Sequence, residues 1–189
     1  MRLFFAVEFD DALKDAVSKA IGGIRIANPP WRWVSRSNIH VTLKFLGDTD
    51  EELVPLLVDS VSAVCRETPP FEIVLDRMGG FPNLKKPRVL FYEATKGAPE
   101  LTSLARRIDT TLHGDLSIER EERPFRAHAT VARIKTPIPP DLAARLEKAP
   151  AVEHYTQKVE RVSLMQSDLQ RGGAVYRLVK GIALASPGC

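Results

Sequence analysis

Two short motifs of the same form stand out among the residues that could do chemistry. His40-Val41-Thr42-Leu43 and His128-Ala129-Thr130-Val131 each place a threonine two residues after a histidine, inside an apolar, β-branched run. Alternate residues of a β-strand point to the same face, so each motif is predicted to present its histidine and its threonine together. An imidazole titrates near neutral pH, and two of them can supply a general base and a general acid at once. The pairing predicts phosphodiester chemistry without a metal ion.

The repeated context gives the two motifs their weight. Any one His-x-Thr is a weak signal, because threonine is common in strands. The chain has only four histidines, however, and two of them share this strand-like context. The alternative interpretation is two strand histidines that satisfy local hydrogen bonds, but the matched threonines favour catalysis. His113 and His154 have no such neighbour, and we interpret them as surface residues.

Length and composition restrict the class of protein. A chain of 189 residues fits one domain or two small lobes, since domains typically have about 100–200 residues. Its formal charge of +3 would tolerate a polyanionic partner without requiring one. The two cysteines, Cys65 and Cys189, form neither a disulfide framework nor a zinc pattern. The apolar run at 3–7 is too short for a signal peptide or a membrane span, so we expect a cytoplasmic protein that does not insert into membranes.

The elements that must position the motifs indicate an α+β fold. Apolar residues at helical spacing predict helices over 11–24, 53–64, 101–112 and 141–148. Strands are predicted over 3–9, 71–75, 88–94, 159–165 and 174–184 in addition to the two motif strands. Several strand connections are too short for parallel crossovers. We therefore expect mainly antiparallel sheets flanked by helices in two lobes.

Turn and cap signals set the expected ends of these elements. Asp10 or Asp11 would cap the first helix, and residues 49–52 have the spacing of a capping box before the second. Gly114 would end the third helix as a C-cap. The glycine-containing segment 79–83 is predicted to be a loop, and Gly172-Gly173 to be the turn before the last strand.

Basic residues near the motifs are candidates for phosphate binding. Arg133 lies just beyond the face shared by His128 and Thr130, and we expect it to contact phosphate. Arg126 and Lys44 fall on the nominal faces of the two motifs, where either residue would bind phosphate or point into solvent. The basic rim of the 79–83 loop is either a phosphate-contact surface or a solvated turn, and charged loop residues favour the second interpretation. This rim consists of Lys85, Lys86 and Arg88.

These segments together resemble those of the 2H phosphoesterase superfamily. The resemblance is to the bacterial and archaeal RNA 2′,3′-cyclic phosphodiesterases in particular, historically called 2′-5′ RNA ligases, and it spans nearly the whole chain. It rests on RLFFAV at 2–7, RWV at 32–34, NIHVTLKFLG at 38–47, FP at 81–82, PRVL at 87–90, RPFRAHATVAR at 123–133 and GGAVY at 172–176.

The resemblance implies a single bilobal domain over 1–189, with a central cleft between the two motif strands. It implies hydrolysis of an RNA terminal 2′,3′-cyclic phosphate to a 2′-phosphomonoester, with reversible 2′-5′ ligation in some members. By the same resemblance, His40 would be the proton donor to the departing 3′ oxygen and His128 the proton acceptor that activates water. Thr42 and Thr130 would bind phosphate oxygens, and Arg133 matches a basic position of the family motif. The physical argument alone does not assign which histidine is the acid.

Other functions stay open at the level of sequence. The same chemistry would serve a ligase that joins tRNA fragments, or a hydrolase for a small cyclic nucleotide. A non-catalytic RNA-binding module is a further alternative, although the two intact motifs argue against it. The chain has no glycine-rich ATP-binding loop, so we predict no nucleotide cofactor. The histidine pair predicts a reaction without a metal ion. The expected partner is RNA with a 2′,3′-cyclic phosphate end, bound by a monomer.

Overall fold

A mainly antiparallel sheet carries both motifs. The computed structural model describes residues 1–26, 31–138, 140–149, 152, 155–170 and 173–186; His154, Gly172 and Cys189 lie outside them. Within these residues the strands are β1 (Arg2–Glu8), β2 (Arg32–Trp33), β3 (His40–Asp48), β4 (Phe71–Phe81), β5 (Val89–Lys96), β6 (His128–Arg133), β7 (Gln157–Val159), β8 (Arg161–Gln170) and β9 (Gly173–Ala183).

The order of the strands puts the two motifs at the centre. The sheet runs β7-β4-β5-β6-β3-β1-β8-β9, with β2 paired to β6, and every pairing is antiparallel. Along this order, four strands lie on each side of the seam between β6 and β3. That seam is held by one residue pair, Val41 with Ala129. The predicted α+β class, with two similar halves and mainly antiparallel pairing, is confirmed.

Helices cover one face of this sheet. They are α1 (Asp11–Ala20), α2 (Gly22–Ile26), α3 (Val54–Arg66), α4 (Ala98–Leu116) and α5 (Pro140–Glu147). The Asp10 carboxylate accepts a hydrogen bond from the backbone N–H of Leu13 at 2.8 Å, so Asp10 is the N-cap of α1 as predicted. Pro55 lies in the first turn of α3, where its missing N–H removes no helical hydrogen bond.

The alternation of side chains along β1 separates the core from the cleft. Leu3, Phe5 and Val7 are fully buried in the main hydrophobic core beneath the helices. Phe4 and Ala6 point the other way and form a small second cluster with Met165, against which Tyr176 packs. A central strand is thus buried on both faces. The second cluster forms one wall of the cleft described below.

Two glycines predicted to form a loop belong instead to a strand. β4 continues through Gly79 and Gly80 to Phe81, paired with β5. A Cβ atom at Gly79 would lie 2.3 Å from Cε2 of Phe91, far inside van der Waals contact. Glycine is needed here because an aromatic ring of the neighbouring strand occupies the space above it, and not because the backbone turns.

Three helix ends also differ from prediction. The helical pattern through Ile24 is divided into α1 and α2 at Ile21. Residues 49–52 form no capping box, because the Thr49 hydroxyl donates to the Gly47 carbonyl and a short 3₁₀ turn precedes α3. Gly114 lies inside α4, which ends at Leu116 with Ser117 in the left-handed region at φ 56°. Serine adopts this conformation less readily than glycine, so the sequence signal pointed to the wrong residue.

Candidate active site

The seam between β3 and β6 opens into a small cleft that contains the predicted residues. The cavity has a volume of about 160 Å³. It is lined by His40, Thr42, His128, Thr130 and Arg133, the five residues singled out from the sequence. Phe4, Val34, Asn38, Phe45, Ser167 and Tyr176 complete the lining. Their roles in a reaction stay predictions, but the geometry brings all five into one place.

Both histidine rings are held by the same kind of hydrogen bond. Nδ1 of His40 lies 2.8 Å from the Asn38 carbonyl oxygen, and Nδ1 of His128 lies 2.7 Å from the Arg126 carbonyl oxygen. A carbonyl oxygen only accepts, so Nδ1 carries the hydrogen in each neutral ring. Nε2 then carries the lone pair that can accept a proton. Each neutral ring can act as a base through Nε2, and each charged ring as an acid through the same atom.

The threonines differ in their contacts. The Thr42 hydroxyl lies 2.9 Å from Nε2 of His40 and, with Nδ1 protonated, donates to that nitrogen. Within the described residues, Thr130 makes no corresponding side-chain bond to His128. Protonation of His40 would remove the acceptor and release the Thr42 hydroxyl for another partner.

Aromatic rings flank each histidine in a matching arrangement. The His40 ring centroid lies 5.0 Å from that of Phe4 and 5.2 Å from that of Tyr176. The His128 centroid lies 5.0 Å from those of Phe81 and Phe91. These ring contacts restrict the rotation of the imidazoles, which stay half-buried at the edge of the cleft. Nothing in the sequence pairs these rings with the histidines, since the aromatics come from four different strands.

Each histidine is paired with a glutamate on a neighbouring strand. Glu8 pairs with His40 in the register of β1 and β3, and Glu93 pairs with His128 in that of β5 and β6. Burial alone would raise the pKa of the Glu93 carboxyl, but hydrogen bonds from Arg126 and Arg77 outweigh it and hold that pKa below its usual range. The Glu8 carboxylate accepts a hydrogen bond from Ser163, and the guanidinium of Arg161 lies 3.8 Å away.

The charges around the two rings differ, although burial lowers the pKa of both. For His40, the bond to the Asn38 carbonyl and the charge of Glu8 oppose that lowering. For His128, the bond to the Arg126 carbonyl also opposes the lowering of the pKa. The positive charge of the Arg126 side chain, however, lowers this pKa by more than the negative charge of Glu93 raises it. Among the nearby charged residues, therefore, a negative group has the strongest effect on His40 and a positive group on His128.

Lys44 does not lie on the cleft face, so the prediction that allowed it to bind phosphate is wrong. The β1–β3 register shifts near Lys44, and Leu43 and Lys44 are both buried in succession. Such a bulge breaks the two-residue alternation. The Lys44 ammonium donates to the Asp109 carboxylate and to the Glu119 carbonyl, each at 2.6 Å. Phe45 takes its place and lines the cleft, 45% exposed.

Arg126 and His113 each have a defined place in the structure. The Arg126 guanidinium donates to the Glu93 carboxylate at 2.7 Å and lies over the rings of Phe81 and Phe91, so it forms part of the support of His128. His113 is exposed, as predicted, and its Nδ1 lies 3.0 Å from the Ile118 carbonyl oxygen.

Neither a metal cluster nor a membrane-spanning helix is found among the described residues. In these ranges, no three or more histidine, cysteine, aspartate or glutamate side chains are grouped so that they could hold a metal ion. Among the described helices, none combines the length and apolar character needed to cross a bilayer.

Fold and cleft together define a class of protein. Two His-x-Thr strands meet at the centre of an α+β fold with two similar halves, an arrangement that identifies a 2H phosphoesterase. The family model of the 2′-5′ RNA ligase superfamily matches residues 13–171. The chain belongs to this superfamily, which is a family of enzymes.

Individual relatives agree with this assignment. The chain is 32% identical over 177 residues to an RNA 2′,3′-cyclic phosphodiesterase of Methanothermobacter thermautotrophicus, covering 93% of this chain and 95% of the relative. It is similar to the crystal structure of TT0787 of Thermus thermophilus, with a TM-score of 0.84, 30% identity and full coverage of both chains. The structure of Escherichia coli LigT complexed with 3′-AMP aligns at a TM-score of 0.74, with 25% identity over 98% of each chain.

Proposed function

We propose that this chain hydrolyses the 2′,3′-cyclic phosphate at the end of an RNA to a 2′-phosphomonoester, without a metal ion. The observation that carries the proposal is that two histidines and two threonines line one cleft. In each neutral ring Nδ1 donates to a backbone carbonyl, so Nε2 is the atom that can take up or release a proton. Relatives of similar length are named RNA 2′,3′-cyclic phosphodiesterases, which supports the choice of substrate.

In the proposed reaction, water attacks phosphorus and the bond from phosphorus to the 3′ oxygen breaks. His128 takes a proton from the water through Nε2, and His40 gives a proton to the departing 3′ oxygen. The nearby charges favour this assignment. Glu8 across the sheet stabilises a charged His40, whereas Arg126 and Arg133 disfavour a charge on His128. Each positioned proton transfer is typically worth about 100- to 10,000-fold in rate.

The threonines and Arg133 would hold the phosphate. Hydroxyl and guanidinium donors stabilise the charge that develops on the nonbridging oxygens. When His40 is protonated, Nε2 no longer accepts from Thr42, and that hydroxyl becomes available to the phosphate. Binding of the anion and protonation of the acid would therefore favour each other.

Two finer points belong to the same proposal. A 5′ hydroxyl in place of water would lead to a 2′-5′ linkage, so ligation of RNA fragments would use the same residues. A cytoplasmic location remains a prediction. An active monomer likewise remains a prediction.

A short RNA ending in a 2′,3′-cyclic phosphate tests the proposal. The native chain should convert it to a 2′-phosphate in excess chelator, and His40→Ala and His128→Ala should each reduce the rate by at least about 100-fold. An absence of turnover by the native chain would contradict it. Turnover of a small cyclic nucleotide, or RNA binding that survives both substitutions, would then decide between the two alternatives.

A further inference from the structure

A second, larger cavity is lined by the residues that directly follow the last motif strand. Arg133, the last residue of β6, lines the cleft, while Ile134 and Lys135 line the second cavity. The Ile134 backbone N–H donates to the Arg88 carbonyl at 2.8 Å. This bond joins the segment after β6 to the basic rim, of which Arg88 is a member. The cavity has a volume of about 1010 Å³, several times that of the cleft. The two spaces therefore adjoin the same chain segment, at residues 133–135, with no lining residue in common.

The second cavity has cationic walls. We name it the basic groove and define it by Lys85, Lys86, Arg88 and Lys135. Among its described lining residues, Glu147 is the single acid. All four cations are exposed, and none forms an ion pair with any residue in the described ranges. Four cations against one carboxylate leave the described lining with a formal charge of +3.

The backbone of the turn at Lys85 and Lys86 is held by a neighbouring side chain, so their own side chains are not needed to hold it. The Asn83 carboxamide oxygen accepts hydrogen bonds from the backbone N–H groups of Lys85 and Lys86, each at 3.1 Å. Apolar residues make up much of the remaining lining, namely Ile134, Pro137, Ile138, Ala143 and Ala144. A lining that combines cations with apolar side chains suits a flexible polyanion, whose phosphates would meet the cations while its sugars and bases contact the apolar residues.

We infer that the basic groove binds the single-stranded RNA upstream of the cyclic phosphate. This rests on the proposed function and deepens it, because it makes an RNA strand, and not a mononucleotide, the preferred substrate. The terminal phosphate occupies the cleft, and the preceding nucleotides pass Arg133 and enter the groove. On this inference, Lys85, Lys86 and Arg88 would bind phosphate, the alternative to the solvated turn that the sequence favours.

A substrate-length comparison tests the inference. We compare kcat/KM on a dinucleotide ending in a 2′,3′-cyclic phosphate with kcat/KM on an RNA of about ten nucleotides that has the same end. The variant is Lys85→Ala/Lys86→Ala/Lys135→Ala. Each lost phosphate contact on a single strand changes the slope of log K against log salt by about 0.7. The salt slope for the long RNA should fall by about 2, and its rate advantage over the dinucleotide by about 10-fold or more at low salt.

Two further variants separate charge from structure. Lys85→Arg/Lys86→Arg/Lys135→Arg keeps the charge and should retain the advantage of the long RNA. Lys96→Ala/Lys158→Ala/Lys180→Ala removes the same formal charge from exposed positions outside the groove, on β5, β7 and β9, and should leave the ratio of the two rates unchanged. An equal ratio in the groove variant and the native chain would overturn the inference, as would an equal loss in the control. Failure of the native chain on the dinucleotide as well as on the long RNA would instead count against the proposed function.

Discussion

The substitution Lys44→Met distinguishes a structural lysine from a phosphate-binding one. Lys44 is 5% exposed, and its ammonium is bonded to Asp109 and to the Glu119 carbonyl. Removing one member of a buried pair typically costs about 3–5 kcal/mol, because the other charge stays buried. The Asp109 side chain is 17% exposed and also accepts from the Glu121 backbone N–H at 3.0 Å. We therefore expect the lower end, about 3 kcal/mol.

Urea unfolding followed by tryptophan fluorescence measures this loss. For an m-value of about 2 kcal/mol/M, the midpoint should fall by about 1.5 M. At a temperature where the variant is folded, kcat/KM should stay within about twofold of the native value, since Lys44 does not line the cleft. A midpoint shift below about 0.5 M together with a large rise in KM would refute this reasoning.

The double substitution Lys44→Met/Asp109→Leu provides the control. It replaces both charges with apolar groups of similar size, a change that is often neutral for a buried pair. Most of the lost stability should return. If the double variant is as unstable as the single one, the packing of the bulge, and not the unpaired carboxylate, accounts for the loss.

Three other predictions concern the cleft. Glu8→Gln removes the negative charge that favours protonated His40, so the His40 pKa should fall and the basic limb of the kcat/KM profile should move to lower pH. NMR titration of the His40 ring measures the pKa directly. The control Asp48→Asn should leave both the pKa and the profile unchanged. Thr42→Val or Thr130→Val should each reduce kcat on the order of 100-fold in steady-state assays. Burial lowers both histidine pKa values, so unfolding should take up protons. The free energy of unfolding should therefore fall as the pH drops below about 6.5. Replacing both histidines with asparagine should flatten this pH dependence in urea titrations.

The local part of the site could be predicted from the sequence. A two-residue alternation places His40 with Thr42, and His128 with Thr130, on shared faces, and the structure brings both pairs into one cleft. The same rule is wrong for Lys44, because a bulge depends on how β1 pairs with β3 and leaves no signal in β3 itself.

Contacts between distant segments account for the rest of what was missed. Glu8 and Glu93 lie far in sequence from the histidines that they face, and only the strand register brings them together. Gly79 resembles a turn residue in isolation, whereas its actual constraint is the Phe91 ring on the next strand. Helix and strand periodicity predicted the α+β class because those patterns are local.

The single residue pair at the seam has a mechanical consequence. Val41 and Ala129 join the two halves of the sheet, and the Val34 backbone N–H adds a bond to the Val131 carbonyl beside it. A phosphate held by threonines of both strands would act as a removable crosslink across this joint. In the proposed reaction, the stiffness of this joint would contribute to the gap between His40 and His128, so variants that loosen it should lose turnover before they unfold.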